Sequence, residues 1–241
     1  MRIRALVLAA AVAVVTGGGA AAQATLAYTD AARLYGAVFV EARRRADYLV
    51  ARLMDQGITL GQYEAREAVA VAFPELLRYA SLRDRLETAA LETLYVKNGK
   101  GDFSIGPLQM KPSFAQRVEE WAARLPRAAA ILGITESLNA ESPNAESGRR
   151  ARINRLRSMG GQAPYLAAFY LVALAHFPEL ATLAGRDRVA FLAAAYNAGF
   201  HKERERIESA MALAIFPPPP GWPDPLSYVE LSLGYFESQN P

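Results

Sequence analysis

The sequence predicts a mainly α protein: a single helical domain with an extra N-terminal helix and at most a small β-hairpin. Three observations carry that expectation. Apolar residues recur at the three- and four-residue spacing of helix faces along most of the chain, between recognisable cap signals. Alternating runs of β-branched residues, the mark of strands, are nearly absent. The chain has 241 residues, 52% of them apolar and none cysteine, enough for one domain with a sizeable core and no disulfide framework.

The elements follow in order. Met1 to Arg4 is basic, Ala5 to Val15 is apolar but too short to span a bilayer, and Ala22-Gln23-Ala24 is a small-x-small cleavage site. Residues 1–24 therefore read as a signal peptide, with the protein exported to the periplasm or secreted and no stable membrane anchor. Residues 25–58 read as a helical extension, with Asp30 capping a helix from Ala31 to about Gln56 that Gly57 closes. Residues 59–241 form the main domain. Thr59 and Gln62 are spaced as a capping box for a helix that is strongly apolar from Ala68 to Phe73 before Pro74 and Glu75. Ser81 caps an amphipathic helix over Leu82 to Val96, and the turn-rich 97–102 segment leads to a small hairpin around Phe103 to Met110. Pro112 opens a helix reaching Arg124. Thr135 to Gly148 lacks an apolar period and reads as a surface loop. Arg149 to Arg157, with five arginines in nine residues, reads as a solvated helix face. Tyr165 to Phe177 is a buried core helix, and a small-residue helix follows that ends in Tyr196-Asn197-Ala198-Gly199, where glycine suits a left-handed cap. The four prolines at 217–220 make a stiff connector.

Several chemistries are excluded. The formal charge is +3, and loss of Arg2 and Arg4 makes it 3 − 2 = +1, which is no nucleic-acid footprint. His176 and His201 lack metal-ligand spacing, Ser104 is not in a nucleophile elbow, and no glycine-rich phosphate loop occurs, so no metal or cofactor is expected. Carboxylates remain. A general acid for glycoside cleavage must hold its proton near neutral pH, which an apolar setting achieves. Of Glu75, Glu87 and Glu92, only Glu75 has apolar neighbours on both sides, while the other two lie off the apolar face of their helix. Glu75 is the favoured acid on this ground, with Glu87 and Glu92 as alternatives.

Five segments in order resemble the soluble lytic transglycosylases, lysozyme-like enzymes that cut peptidoglycan. Glu75-Leu76 stands where the family has Glu-Ser after a hydrophobic helix. Gly106, Gln109, Pro112 and Ala115 match its glycine–glutamine segment in register. Tyr165-Leu166, the stretch Ala195 to Gly199 and Tyr228-Val229 resemble the remaining three. The 98–102 loop also resembles goose-type lysozymes, whose spacing favours Glu87. The resemblance spans about residues 62 to 235. It implies a lysozyme-like fold and peptidoglycan glycan strands as the binding partner.

The activity it implies is cleavage of the β-1,4 bond between N-acetylmuramic acid and N-acetylglucosamine by one catalytic glutamate, Glu75, giving 1,6-anhydro ends. Gln109, Tyr196 and Asn197 would then hold sugar and N-acetyl groups or orient the glutamate, and Tyr228 would close the site from the C-terminal side. Two other readings stand beside it: a lysozyme-type hydrolase in which water attacks, and a non-catalytic module that binds peptidoglycan or scaffolds a cell-wall complex.

Overall fold

A computed structural model describes residues 28–55, 57–81, 92–97, 101–134, 145–218 and 224–239. The expectations placed on the signal peptide, on Glu87, on most of the 82–96 helix, on the 98–100 loop and on 135–144 lie outside these residues. The rest is mainly helical and contains no sheet. The helices are α1 (Ala37–Met54), α2 (Gln62–Ser81), α3 (Pro112–Ala122), α4 (Pro126–Leu132), α5 (Glu146–Leu156), α6 (Met159–His176), α7 (Gly185–Ala198), α8 (Arg204–Met211) and α9 (Tyr228–Ser238). A π-helical turn covers Glu92–Lys97 and a 3-10 turn Pro178–Thr182.

Helix α2 is the axis of the molecule. From Ala68 to Leu77 its apolar side chains are buried all round, against α1 on one side and α6, α7 and α9 on the others. The run of alanines lets those neighbours approach closely, and Phe73 stacks on Tyr235 of α9 with ring centroids 4.4 Å apart. The N-terminal helix shares this core: Phe39, Leu49 and Leu53 of α1 are buried, and Phe39 meets Phe73 edge to face. Each such side chain stabilises the fold by about 1.5–3 kcal/mol.

Helix boundaries differ from the sequence reading where local chemistry was ambiguous. Helix is already present at 28–35, so Asp30 is no cap; it pairs with Arg33, and Gly36 at φ 50° separates this segment from α1. The start of α2 is capped two residues later than expected: the Gly61 N–H bonds Glu64 Oε2 at 2.9 Å, while Thr59 sits outside the helix at φ 52°. Pro74 does not interrupt α2. It lies inside α2, where it lacks the N–H that would bond the Ala70 carbonyl. Nearby, the Val71 carbonyl accepts from the Tyr228 hydroxyl at 3.2 Å and from Ser232 at 3.5 Å. Helix α5 begins at Glu146, inside the segment read as a loop, and α6 begins at Met159, where Ser158 caps the Gly161 N–H. Glycine is required at 161, because a Cβ there would collide with the Arg155 carbonyl.

The arginine-rich stretch is not simply a solvated face. Arg152 is buried, bonded through Nε to Glu119 at 3.0 Å and through Nη1 to the Tyr95 hydroxyl at 2.6 Å. Tyr165 completes this cluster by donating to Glu119. Arg149 donates to the Val96 carbonyl, and Arg150 pairs with Glu146. These contacts tie α5 to α3, α6 and the π-helical turn.

Candidate functional site

One wall of the cleft is the expected hairpin, reduced to a single rung. Ile105 and Met110 exchange both backbone hydrogen bonds, at 3.0 and 3.1 Å, around the turn 106–109. Two residues in the turn have left-handed backbone, Gly106 at φ 64° and Gln109 at φ 47°. A Cβ on Gly106 would run into the Leu156 carbonyl and the Gln162 side chain, so glycine is set here by close approach as well as by φ. Without a sheet to hold it, the turn is clamped by Gln162, a fully buried residue of α6. Its Oε1 accepts from the Leu108 N–H at 2.7 Å and its Nε2 donates to the Ile105 carbonyl at 2.6 Å. Gln109 is half-buried; its Nε2 donates to the Gly106 carbonyl at 3.0 Å, and its amide oxygen has no intramolecular donor among the described residues.

The C-terminal end of α7 supplies the second wall. Tyr196 is buried beside Phe114 and Phe169, and its hydroxyl donates to the Leu108 carbonyl at 2.9 Å, joining α7 to the hairpin. Asn197 is exposed at the cleft surface. Gly199 ends the helix with its N–H on the Ala195 carbonyl, at φ 106° and ψ 112°. That is positive φ but not the left-handed helical cap the sequence suggested.

Glu75 lies in the same cleft, on the turn of α2 that follows Pro74. The cleft encloses about 420 Å³ and is lined by Glu75, Gln109, Tyr196 and Asn197 among others. Glu75 is 7% exposed, and its buried Oε2 has no hydrogen-bond partner among the described residues. Among the described residues the nearest cation, Arg78, is 4.0 Å away, beyond hydrogen-bonding reach. Burial pushes the Glu75 carboxyl up to about 7, against a smaller downward pull from Arg78. The charge on Glu75 is felt by two phenols: Tyr196 and Tyr228 are both raised well above the ordinary tyrosine range, by burial first and by Glu75 next.

The structure thus brings Glu75, Gln109, Tyr196 and Asn197 to one cleft. Tyr228 differs from expectation: it is buried behind α2 with its hydroxyl on Val71, so it supports the helix that carries Glu75 and does not close the cleft. Glu92 falls in the π-helical turn. Sequence reasoning passed over Asp102, Lys111, Arg117 and Lys202, which also line the cleft. The signal for Asp102 was available three residues after Gly99, in the approach to Pro112. It caps α3 from outside the helix, accepting from the Ser113 N–H at 3.0 Å and from the Ser113 hydroxyl at 2.7 Å. Among the described residues no three of His, Cys, Asp and Glu converge to hold a metal ion, and no helix is long and apolar enough to cross a membrane.

Neither family models, nor curated proteins, nor solved structures yield a match to this chain.

Proposed function

We propose that the protein is a peptidoglycan lytic transglycosylase with Glu75 as its single acid and base. The observation that carries this reading is a solitary buried carboxyl, held near neutrality by desolvation, in a cleft lined with amide and hydroxyl groups. A carboxyl of that kind keeps its proton until a leaving oxygen needs it, and returns to the charged form at modest cost.

The chemistry then runs in two steps. Glu75 gives its proton to the glycosidic oxygen as the bond to the anomeric carbon breaks, while the oxygen of the substrate's own N-acetyl group closes on that carbon. The Glu75 carboxylate next takes the proton of the 6-hydroxyl, whose oxygen displaces the N-acetyl oxygen and forms the 1,6-anhydro ring. No water is consumed, and Glu75 ends protonated. Gln109 and Asn197 are the amides available to the sugar and N-acetyl groups. Tyr196 acts by positioning, since its hydroxyl is engaged with Leu108.

The one-carboxylate scheme fits the state of Asp102. Both its oxygens are engaged by Ser113, which suits a helix cap better than the base or nucleophile of a two-carboxylate glycosidase. The direct test is mass spectrometry of peptidoglycan digested by the purified protein. Muropeptides lighter by one water than the hydrolytic products are expected; hydrolytic products alone would favour the lysozyme-type reaction, and binding without release would favour a non-catalytic module.

A further inference from the structure

The charged residues of the cleft are unevenly signed. Among the described residues, Arg78, Lys111, Arg117 and Lys202 line it with only Glu75 and Asp102 in opposition. Asp102 is occupied by Ser113, and Glu75 is largely uncharged below neutrality. The chain as a whole carries 27 basic against 24 acidic residues, so this accumulation is local and is not a general property of the surface.

Three of these cations are uncommitted. Surface arginines elsewhere pair with carboxylates, as Arg44 does with Glu41 and Arg204 with Glu208. Lys111, Arg117 and Lys202 make no ion pair among the described residues. Their placement follows from two local features. On α3, Arg117 follows Ser113 by one helical turn and so shares its cleft-facing side. Beyond α7, the chain turns at Gly199 so that His201 and Lys202 fold back over the helix end. A Cβ on Gly199 would stand only 2.8 Å from His201 Cε1 and 3.7 Å from Lys202 Cε. Arg117 and Lys202 both hold the His201 imidazole below its ordinary range, after burial, which puts the three side chains in one electrostatic neighbourhood.

We propose that Arg117 and Lys202, flanked by Lys111 and His201, form an anion subsite for carboxylates of the peptide stems carried by the glycan strand. The inference rests on the reading of Glu75 as the glycan-cleaving acid, because the same cleft would hold the sugar backbone there and a stem here. A guanidinium offers paired N–H donors to a carboxylate, and an ammonium offers a point charge beside it. The arginine-rich helix α5 is less suited to this role, because Arg149 and Arg152 are spent on internal contacts.

The test uses Glu75→Gln protein, so that binding is read without turnover. Its sedimentation with insoluble peptidoglycan is compared for intact material and for material stripped of peptide stems by an amidase. Intact material should bind at least about tenfold more tightly at low ionic strength, with the preference fading as salt is raised. Adding Arg117→Ala and Lys202→Ala should bring the ratio of the two affinities close to one, with thermal unfolding confirming the fold. Each single substitution should cut the preference partway.

Equal binding of intact and stripped material would overturn the subsite, and so would a preference that survives in the double variant or is indifferent to salt. Product analysis of the unmutated protein is read separately. Anhydro products without stem preference would remove the subsite and leave the catalytic reading; stem preference without anhydro products would do the reverse.

Discussion

Glu67 and Glu75 stand two helical turns apart on α2, and both are buried. Glu67 is wholly enclosed and fully matched. Arg188 of α7 reaches it with Nη2 at 2.7 Å and Nε at 2.9 Å, and the Tyr170 hydroxyl of α6 donates to it at 2.5 Å. Glu75 is enclosed almost as far, and its buried Oε2 has no hydrogen-bond partner among the described residues. The first carboxylate has its charge compensated and ties three helices together. The second has its charge discouraged and keeps a proton near neutral pH. Burial by itself therefore does not raise a carboxyl's affinity for its proton; burial without a partner does.

The largest effect expected from breaking this contrast is at Glu67. Glu67→Ala leaves Arg188 facing a vacated interior, and loss of one partner from a buried pair costs about 3–5 kcal/mol. Chemical denaturation should register that loss as a fall in midpoint with an unchanged slope. A variant as stable as the parent would mean that the pair contributes nothing net.

Glu75→Gln should do the opposite. It keeps the shape, removes the transferable proton and should lower turnover at least about a hundredfold, with binding of peptidoglycan little changed. Stability should not fall. Muropeptide release at the parent's rate would remove Glu75 from the chemistry.

Burial without a partner should also make Glu75 visible in the response to pH. With Glu75 raised from 4.5 to about 7 in the folded state, the folded protein holds a proton that the unfolded chain has released. Stability from this group is complete below the unfolded value and is lost as pH rises through about 7, a change on the order of 3 kcal/mol. Denaturation of the parent and of Glu75→Gln across this window should therefore converge at acid pH and diverge in favour of the variant at neutral pH. Parallel curves would contradict the burial argument. Turnover that needs the protonated acid should decline over the same range.

The smallest effect sharpens the comparison. Arg78 pulls the Glu75 carboxyl down, and at 42% exposure its charge is partly screened. Arg78→Met should move the alkaline limb of the activity profile upward by no more than about one unit. A downward move would reverse the assigned cause.

What sequence made legible here was local. Glu75 stood out because its neighbours on both sides are apolar, and the 3.6-residue period marked α2, α3 and α6. Pro74 gave no sign that the helix runs on through it, because proline disfavours the helix interior that packing gives it here. Thr59 and Gln62 had capping-box spacing, yet Gly61 and Glu64 occupy the positions where the chain actually turns. Glu67 and Arg188 lie far apart in the chain, and neither has a local pattern that names the other. Arg152 was hidden for the same reason: a run of arginines looks solvated until Glu119 arrives from another helix. The pairing of Phe216 with Leu226 likewise has no alternating pattern to announce it.

The clamp on the 105–110 turn has one last consequence. Gln109 is held in a conformation that costs a non-glycine residue on the order of 1 kcal/mol or more, and Gln162 and Tyr196 fix the backbone beside it while the chain folds. That ordering is complete before any ligand arrives. A ligand entering the cleft then gives up its own freedom without also having to immobilise this wall, and whatever affinity the amides supply is expressed nearly in full. Slackening the clamp with Gln162→Leu would leave every cleft-lining side chain in the sequence and still weaken binding, with the loss appearing as a more unfavourable entropy of association.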